Sequence, residues 1–504
     1  WTNQTSKGGR IMNYLDLTIK EIHEALLDKK VTPVDLVKEA IKRAKENKDN
    51  AFELIIEEDA IKKAEELSKL EVPADNYFFG IPYVAKNNFS TKGYETNASS
   101  NILNGYIPVF DATVIKLLND ANAILVAKST MDELAMGGTG TTGHLGITFN
   151  AYDASHTRLC GGSSAGSAVA VADAIVPFAL GSDTGDSVRK PASFNALVGF
   201  KPTWGLISRF GLFPFAPSLD HVAYFTRSVF DSAISLNLLA KKDENDSTCF
   251  RGEREDYTKF NSSLKGKKVA IIKEIYNSIT DEEMKKYFDE TVEKILKNGA
   301  EVQYISVSPD LLKAVYPAYI VISCAEATSN NANLDGIKFG PHYDGKSYQE
   351  VMYNARTNGF SPLIKRRFII GSYALMRENQ EEVFLCAQKA RQLIVDAFNE
   401  IFKTFDCVYL PAAPSVAPFI NKSNDNVNED FVILDNWLGI GNFGGFPSIT
   451  IPLAFNKENK MPYGVNLMAK PYDEVNLFGI ASALEEEIGL KNVSTHTINS
   501  KEGE

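Results

Sequence analysis

Apolar positions change along this chain from a helical to a strand-like spacing, and beyond residue 80 the two alternate. Thr32-Pro33-Val34-Asp35 supplies an N-cap, a proline at the first helical position and an acid in the first turn. Leu36, Val37, Ala40, Ile41 and Ala44 then share one face, with Lys and Glu opposite, which predicts a helix. A second amphipathic helix is predicted over 61–70. Short apolar runs at 81–85, 123–127, 175–180, 269–272, 408–410, 449–452 and 464–468 predict buried strands. Helical periodicity covers 113–119, 281–297, 381–402 and 473–488, and Gly299 stands as a stop signal after the second of these. Such alternation predicts an α/β fold around a largely buried mixed sheet.

The polar, charged stretch 241–268, with Asn261-Ser262-Ser263 and Gly266, predicts a surface connection between two halves of the chain. Residues 1–11 are polar and Met12 opens the first structured segment. The expectation is therefore a remnant or extension at 1–11, one domain over 12–494 and a frayed polar tail over 495–504.

Composition narrows the function classes. With 44% hydrophobic and 23% charged residues, a chain of 504 can bury a core without disulfides or a structural metal. A net charge of −11 gives it little means to grip a phosphate backbone, so any nucleic acid would be held by a partner. No apolar run approaches the ~20 residues of a membrane span, and no membrane role is expected. The 5 cysteines are scattered, without a CxxC pair, which argues against a disulfide framework and a thiolate zinc site. Reduced thiols in the cytoplasm are the expectation.

The candidate chemistry lies in two clusters of small residues. Cys160-Gly-Gly-Ser-Ser-Ala-Gly-Ser167 runs into an Ala/Val stretch that predicts a tightly packed helix, whose first turn would aim free N–H groups at a polarised oxygen. Gly181-Ser-Asp-Thr-Gly-Asp-Ser187 follows a short strand, with Arg189 and Pro191 after it. Gly162 to Gly166 fits a G-x-S-x-G nucleophile elbow with Ser164 as nucleophile, although no strand character precedes it. Gly185-Asp186-Ser187 fits a lipase-like serine, with Asp153-x-x-His156 at the right spacing but upstream. A phosphate cradle lacks the Gly-Lys-Ser/Thr ending, and packed turns without chemistry account for the same glycines. None of the 6 histidines forms H-E-x-x-H. A serine hydrolase without an evident histidine needs another base, and a desolvated lysine serves. Lys86, just past Gly80-Ile-Pro-Tyr-Val-Ala85, ends an apolar strand, where α/β sheets place active residues.

Together, Gly161 to Ser167, Gly181-Ser-Asp-Thr-Gly-Asp-Ser-Val-Arg-Lys-Pro191 and Gly80 to Asn88 resemble the amidase signature family in residues, order and spacing. The resemblance extends from Met12 to about residue 490. Within the family the chain is most similar to the A subunits of tRNA-dependent amidotransferases, through Met131-Asp-Glu-Leu-Ala-Met-Gly137, Val198 to Gly205, Ile207 to Leu212, Ser218-Leu-Asp-His221, Glu326 to Asn330 and Lys365-Arg-Arg367.

The resemblance implies an α/β/α sandwich whose large mixed sheet is mostly parallel. It also implies a Ser–cis-Ser–Lys triad of nucleophile Ser187, relay Ser163 (cis after Gly162) and base Lys86. Backbone N–H groups of Thr184, Gly185 and Asp186 would form the oxyanion hole. Arg367, with Arg366 as neighbour, would clamp the glutamine carboxylate. Asp435 would take its ammonium, and Tyr319 and Gly137 would line the substrate. No cofactor or metal is expected in this chain. Ammonia would pass to the B subunit of the enzyme, which uses ATP and Mg²⁺ on Glu-tRNA(Gln) or Asp-tRNA(Asn), and a small C subunit would make the assembly a heterotrimer. A stand-alone amidase and a non-catalytic scaffold are the alternatives. Asp186 and Ala165 stand where the family usually has glycine, and a carboxylate near Lys86 would raise the lysine's pKa unless it faces solvent or a cation.

Overall fold

The structure, a computed structural model, describes residues 13–420 and 436–498; the expected extension at 1–11 lies outside them. One sheet of 11 strands runs through the molecule in the order β1-β3-β2-β4-β6-β5-β10-β11-β9-β7-β8. The strands are β1 Phe52–Ile55, β2 Pro82–Lys86, β3 Ile124–Ser129, β4 Phe178–Asp183, β5 Val198–Lys201, β6 His221–Thr226, β7 Lys268–Ile272, β8 Glu301–Ile305, β9 Cys407–Pro411, β10 Ser448–Phe455 and β11 Pro462–Met468. Alternation along a strand buries both faces. In β7, Val269 and Ile271 join one core while Ala270 and Ile272 join the other, and in β9 Cys407 and Tyr409 oppose Val408 and Leu410.

The sheet is mixed as expected, but the expectation of a mostly parallel sheet is corrected. β2 is parallel to β3 and β4, and β7 to β8 and β9, whereas every other described ladder is antiparallel. A buried apolar run carries no direction, and β10 returns to β11 through the turn 456–461 rather than through a crossover helix.

The predicted elements occur with shifted ends. Helix Pro33–Glu46 starts with Thr32 and Asp35 in a reciprocal capping box, and Glu282–Lys297 starts from Asp281, which caps the N–H groups of Glu283 and Met284. The stretch 381–402 divides into a π-turn at Gln380–Leu385 and a helix at Cys386–Phe402. Residues 175–177 precede β4 rather than belonging to it.

Segment 241–268 is not a plain surface link between halves. It buries Asp243, Asp246, Cys249, Tyr257 and Leu264, and the strands on either side of it share the one sheet. The expected tail is folded at its start, where Thr495–Ile498 makes a helical turn and Thr495 Oγ1 donates to Asp173 Oδ1 at 2.8 Å. One segment, Pro309–Asn333, is long and apolar enough to cross a membrane by length and composition alone, a test that the core helix of a folded domain also passes. It has Pro317 in its interior and packs against helices Pro362–Leu375 and Cys386–Phe402.

Candidate active site

Strands β2 and β4 are parallel neighbours, so their C-terminal ends lie on one side of the sheet. Lys86 closes β2, and the turn Thr184–Ser187 follows β4. Lys86 is 0% exposed; its Nζ lies 2.7 Å from Ser163 Oγ, 2.9 Å from Ser182 Oγ and 3.4 Å from the Ser182 carbonyl. Burial lowers its pKa from 10.5 to about 7, against the upward pull of Asp132, Asp183 and Asp220. Asp186 is absent from those neighbours and pairs with Lys190 instead. The carboxylate that departs from the family pattern therefore faces a cation.

Ser163 follows a cis peptide bond at Gly162. A Cβ on Gly162 would lie 1.9 Å from Asp132 Oδ2, so only glycine admits this approach. Asp132 in turn accepts N–H groups from Thr139, Gly140 and Thr142 together with the Thr142 hydroxyl, and donates its own N–H to the Ser163 carbonyl at 3.1 Å. The Ser164 N–H donates to the Ser187 carbonyl at 3.2 Å, joining the two small-residue clusters. No hydrogen bond joins the Ser163 and Ser187 hydroxyls among the described residues; catalytic contacts often tighten only around substrate.

The helix start and the turn after β4 both offer N–H groups, with the longer free run after β4. In helix Ala165–Ala172 the Gly166 N–H is taken by the Thr130 carbonyl. Past β4, Asp183 Oδ2 accepts from the Val188 and Arg189 N–H groups, while those of Thr184, Gly185, Asp186 and Ser187 find no acceptor among the described residues. These are four consecutive donors beside a nearly buried serine hydroxyl (Ser187, 4% exposed), the kind of arrangement that can meet a developing negative oxygen. Thr184 Oγ1 donates to Asp220 at 2.7 Å, and Arg189 Nη2 holds the Gly185 carbonyl at 2.8 Å.

Two sequence alternatives fail on contacts. Ser164 is buried with its hydroxyl on the Ser182 carbonyl, and no strand leads into it. His156 bonds Asp49 and stacks on Phe149, away from Ser187.

Of the expected substrate residues, Tyr319 packs against the catalytic turn, since a Cβ on Gly185 would stand 3.0 Å from its ring. Burial, opposed by the Arg367 charge, raises its phenol above the ordinary range. Arg367 sits 5.8 Å over the Phe215 ring, and its buried Nε and Nη1 have no partner. Phe215 also meets Tyr319 edge-on at 6.5 Å, so the three side chains are contiguous. Gly137 packs on Asp132, its Cβ position 2.5 Å from Asp132 Cγ. Asp435 lies outside the described residues. Arg366 is exposed.

Sequence reasoning missed Ser182, Asp132, Asp183 and Asn442. Asp183 makes a two-pronged pair with Arg189 (3.1 and 2.9 Å), and Asn442 Nδ2 donates to it at 3.0 Å. Burial, the largest single effect, would raise the Asp183 carboxyl, but the Arg189 charge and hydrogen bonds, the Lys201 charge and the Asn442 amide together outweigh it and hold the group below the usual carboxylate range. The Asp183–Arg189 spacing was visible in the motif, whereas nothing in the sequence ties Asn442 to it. Among the described residues no group of His, Cys, Asp and Glu is arranged to hold a metal.

A family model described as Amidase matches residues 35–478. Over 481 residues the chain is 38% identical to the A subunit of a glutamyl-tRNA(Gln) amidotransferase from Staphylococcus epidermidis, covering 94% of this chain and 97% of that protein. It is 37% identical over 485 residues to its Streptococcus pneumoniae counterpart, covering 95% and 97%. The crystal structure of the glutamyl-tRNA(Gln) amidotransferase A subunit from Thermotoga maritima matches with a TM-score of 0.76 at 31% identity, over 94% of this chain and 95% of that one. A bacterial aryl acylamidase shares the fold, with a TM-score of 0.81 at 21% identity over 93% and 96%.

Proposed function

The chain belongs to the amidase signature family, and on that premise we propose that it is the glutamine-hydrolysing A subunit of a tRNA-dependent amidotransferase. The observation that carries the chemistry is the buried Lys86 amine, with a pKa of about 7, 2.7 Å from Ser163 Oγ and beside the donor-rich turn at 184–187.

With Lys86 neutral, the Ser163 hydroxyl gives its proton to the amine and takes one from Ser187, whose Oγ attacks the side-chain amide carbon of glutamine. The carbonyl oxygen gains charge and is met by the N–H groups of Thr184 to Ser187. Collapse breaks the C–N bond, and the departing nitrogen takes back the proton from Lys86 through Ser163 and leaves as ammonia. A water, deprotonated by the same route, then attacks the glutamyl ester on Ser187 and releases glutamate. Arg367 suits the α-carboxylate, because its buried Nε and Nη1 are donors free to make a two-pronged pair. Tyr319, beside Gly185, and Gly137, packed on Asp132, are assigned to the substrate wall, and Asp435 to the α-ammonium.

Released ammonia goes to the B subunit, which uses ATP and Mg²⁺ to activate Glu-tRNA(Gln) or Asp-tRNA(Asn), and the small C subunit makes up a cytoplasmic heterotrimer. The net charge of −11 suits a chain that leaves tRNA to its partner.

Ser187→Ala tests the assignment. Ammonia release from glutamine should fall by about 10⁴-fold or more while co-purification with the B and C subunits is unchanged. Retained glutaminase activity would overturn it. Full activity on simple amides without partners would indicate a free amidase, and a folded chain whose Ser187 resists a serine-acylating reagent would indicate a scaffold.

A further inference from the structure

Residues 132–135 form one tight turn that touches both halves of the site. Leu134 and Ala135 adopt left-handed backbone conformations, with φ of 51° and 61°, which side-chain-bearing residues adopt only when neighbours impose them. Here the neighbours are visible. The Leu134 N–H is held by the Ala98 carbonyl at 3.0 Å, and the two acids that open the turn serve different partners. Asp132 supports the Gly162–Ser163 peptide. Glu133, 3% exposed, accepts the Ser100 hydroxyl at 2.6 Å and the Ser361 N–H at 3.4 and 3.3 Å.

Ser361 is the N-cap of helix Pro362–Leu375, its hydroxyl accepting from the Ile364 N–H. Ser100 also donates to the Gly359 carbonyl at 3.5 Å, so Ser100 and Glu133 together grip the turn from which that helix departs. Space is tight there as well, since a Cβ on Gly359 would lie 2.6 Å from Ile102. Arg367 stands within two turns of this anchored end, with its Nε and Nη1 buried and unpartnered. Further along, Gly371 packs against the Cys324 carbonyl at 2.0 Å from its Cβ position, which prevents the helix from sliding freely on Pro309–Asn330.

From this arrangement we infer that Glu133 is a positioning residue for glutamine binding. By holding the Ser361 end of helix Pro362–Leu375 against the turn that carries Asp132, it sets the position of the Arg367 guanidinium relative to Ser163 and Ser187. The inference rests on the proposed role of Arg367. Asp132 would act on the chemical step through Ser163, and Glu133 on substrate affinity through Arg367, so adjacent acids would divide the two tasks.

The test is steady-state kinetics of glutamine hydrolysis by the full chain with its partner subunits, with active sites counted by acylation of Ser187. Glu133→Ala should raise KM for glutamine about tenfold, the equivalent of one charged hydrogen bond, with kcat per labelled Ser187 changed by less than about twofold. Glu133→Gln keeps an acceptor for Ser361 and should restore most of the affinity. Combined with Arg367→Ala, Glu133→Ala should raise KM no further than Arg367→Ala alone.

An unchanged KM in Glu133→Ala, or independent additive effects in the double variant, would overturn the inference. So would a loss confined to the number of labelled sites, which is what a purely structural acid would give. If the unsubstituted complex fails to hydrolyse glutamine, or Arg367→Ala leaves KM unchanged, it is the proposed function or the clamp that fails.

Discussion

At position 86 the chain buries an amine that in water keeps its proton up to pH 10.5, and burial brings that value to about 7. In the proposed mechanism the neutral amine is the active form, so kcat/KM for glutamine should be flat above pH 7 and fall about tenfold per pH unit below it. A profile level down to pH 5 would contradict this. The same shift bears on stability. Between pH 7 and 10.5 the unfolded chain binds a proton at Lys86 that the folded chain does not, so stability should rise with pH across that window; below 7 the penalty of burial is fully present. Lys86→Met should therefore remove activity while raising the thermal midpoint, by about 1–2 kcal/mol of stability near pH 7. Two small-residue runs marked the region around Ser163 and Ser187, and a strand end marked Lys86, but their pattern alone left several readings open, and the assignment of the three to one triad came from the family resemblance. Ser182, the other hydroxyl against Lys86, was hidden: it lies in the same small-residue run as Ser187, and nothing singles it out until β2 and β4 are paired.

At the scale of elements, the catalytic turn is held from behind by one buried ion pair. Arg189 is 0% exposed and joins the end of β4 through Asp183, the turn itself through the Gly185 carbonyl, the Gly439–Phe443 helix through the Leu438 carbonyl and Asn442, and β10 through Ser448 Oγ. Its removal would leave the buried Asp183 carboxylate without its hydrogen-bonded counter-charge, with only the more distant influence of Lys201, which costs about 3–5 kcal/mol. Arg189→Met should lower the unfolding free energy by that amount, seen as a lower denaturant midpoint at unchanged m, and slow acylation of Ser187; an unaltered midpoint would show that water satisfies Asp183. None of this is readable from periodicity, which marks faces but not partners. The strands that escaped prediction show the same limit. β1 is half-buried along its length and β8 is largely exposed, because both are edges, and four-residue β5 contains Gly199 and Lys201. β6 ends in His221 and Thr226, polar residues that tertiary contacts bury. Helix Pro309–Asn330 combines an interior Pro317 with apolar residues around much of its circumference, so neither a breaker rule nor an amphipathic stripe identifies it.

Across the whole molecule, Arg227 ties together parts of the chain that are hundreds of residues apart. Its buried guanidinium donates to the Leu15 and Leu17 carbonyls near one end of the described chain, to the Val171 and Val176 carbonyls in the centre, and to Asn492 Oδ1 near the other end. Asn492 completes the link by donating to the Asp16 carbonyl at 2.8 Å. Burial lowers the Arg227 pKa only to about 10, so the charge persists at neutral pH. Arg227→Met would strand several buried carbonyls, at a cost of roughly 3–5 kcal/mol. With an unfolding entropy of about 2.1 cal/mol/K per residue, a single cooperative unit of this length has on the order of 1 kcal/mol/K, so the thermal midpoint should fall by roughly 3–5 °C. The shape of the transition carries as much information as its position. If 241–268 divided the chain into independent halves, the change would fall on the half containing Arg227 and a second, unmoved transition would remain. Because β5, β10, β11, β9 and β7 form one continuous ladder past that segment, calorimetry should show one transition that moves as a whole. Kinetics below the transition should retain the glutamine KM, since none of the Arg227 contacts reaches Ser163, Ser187 or Arg367.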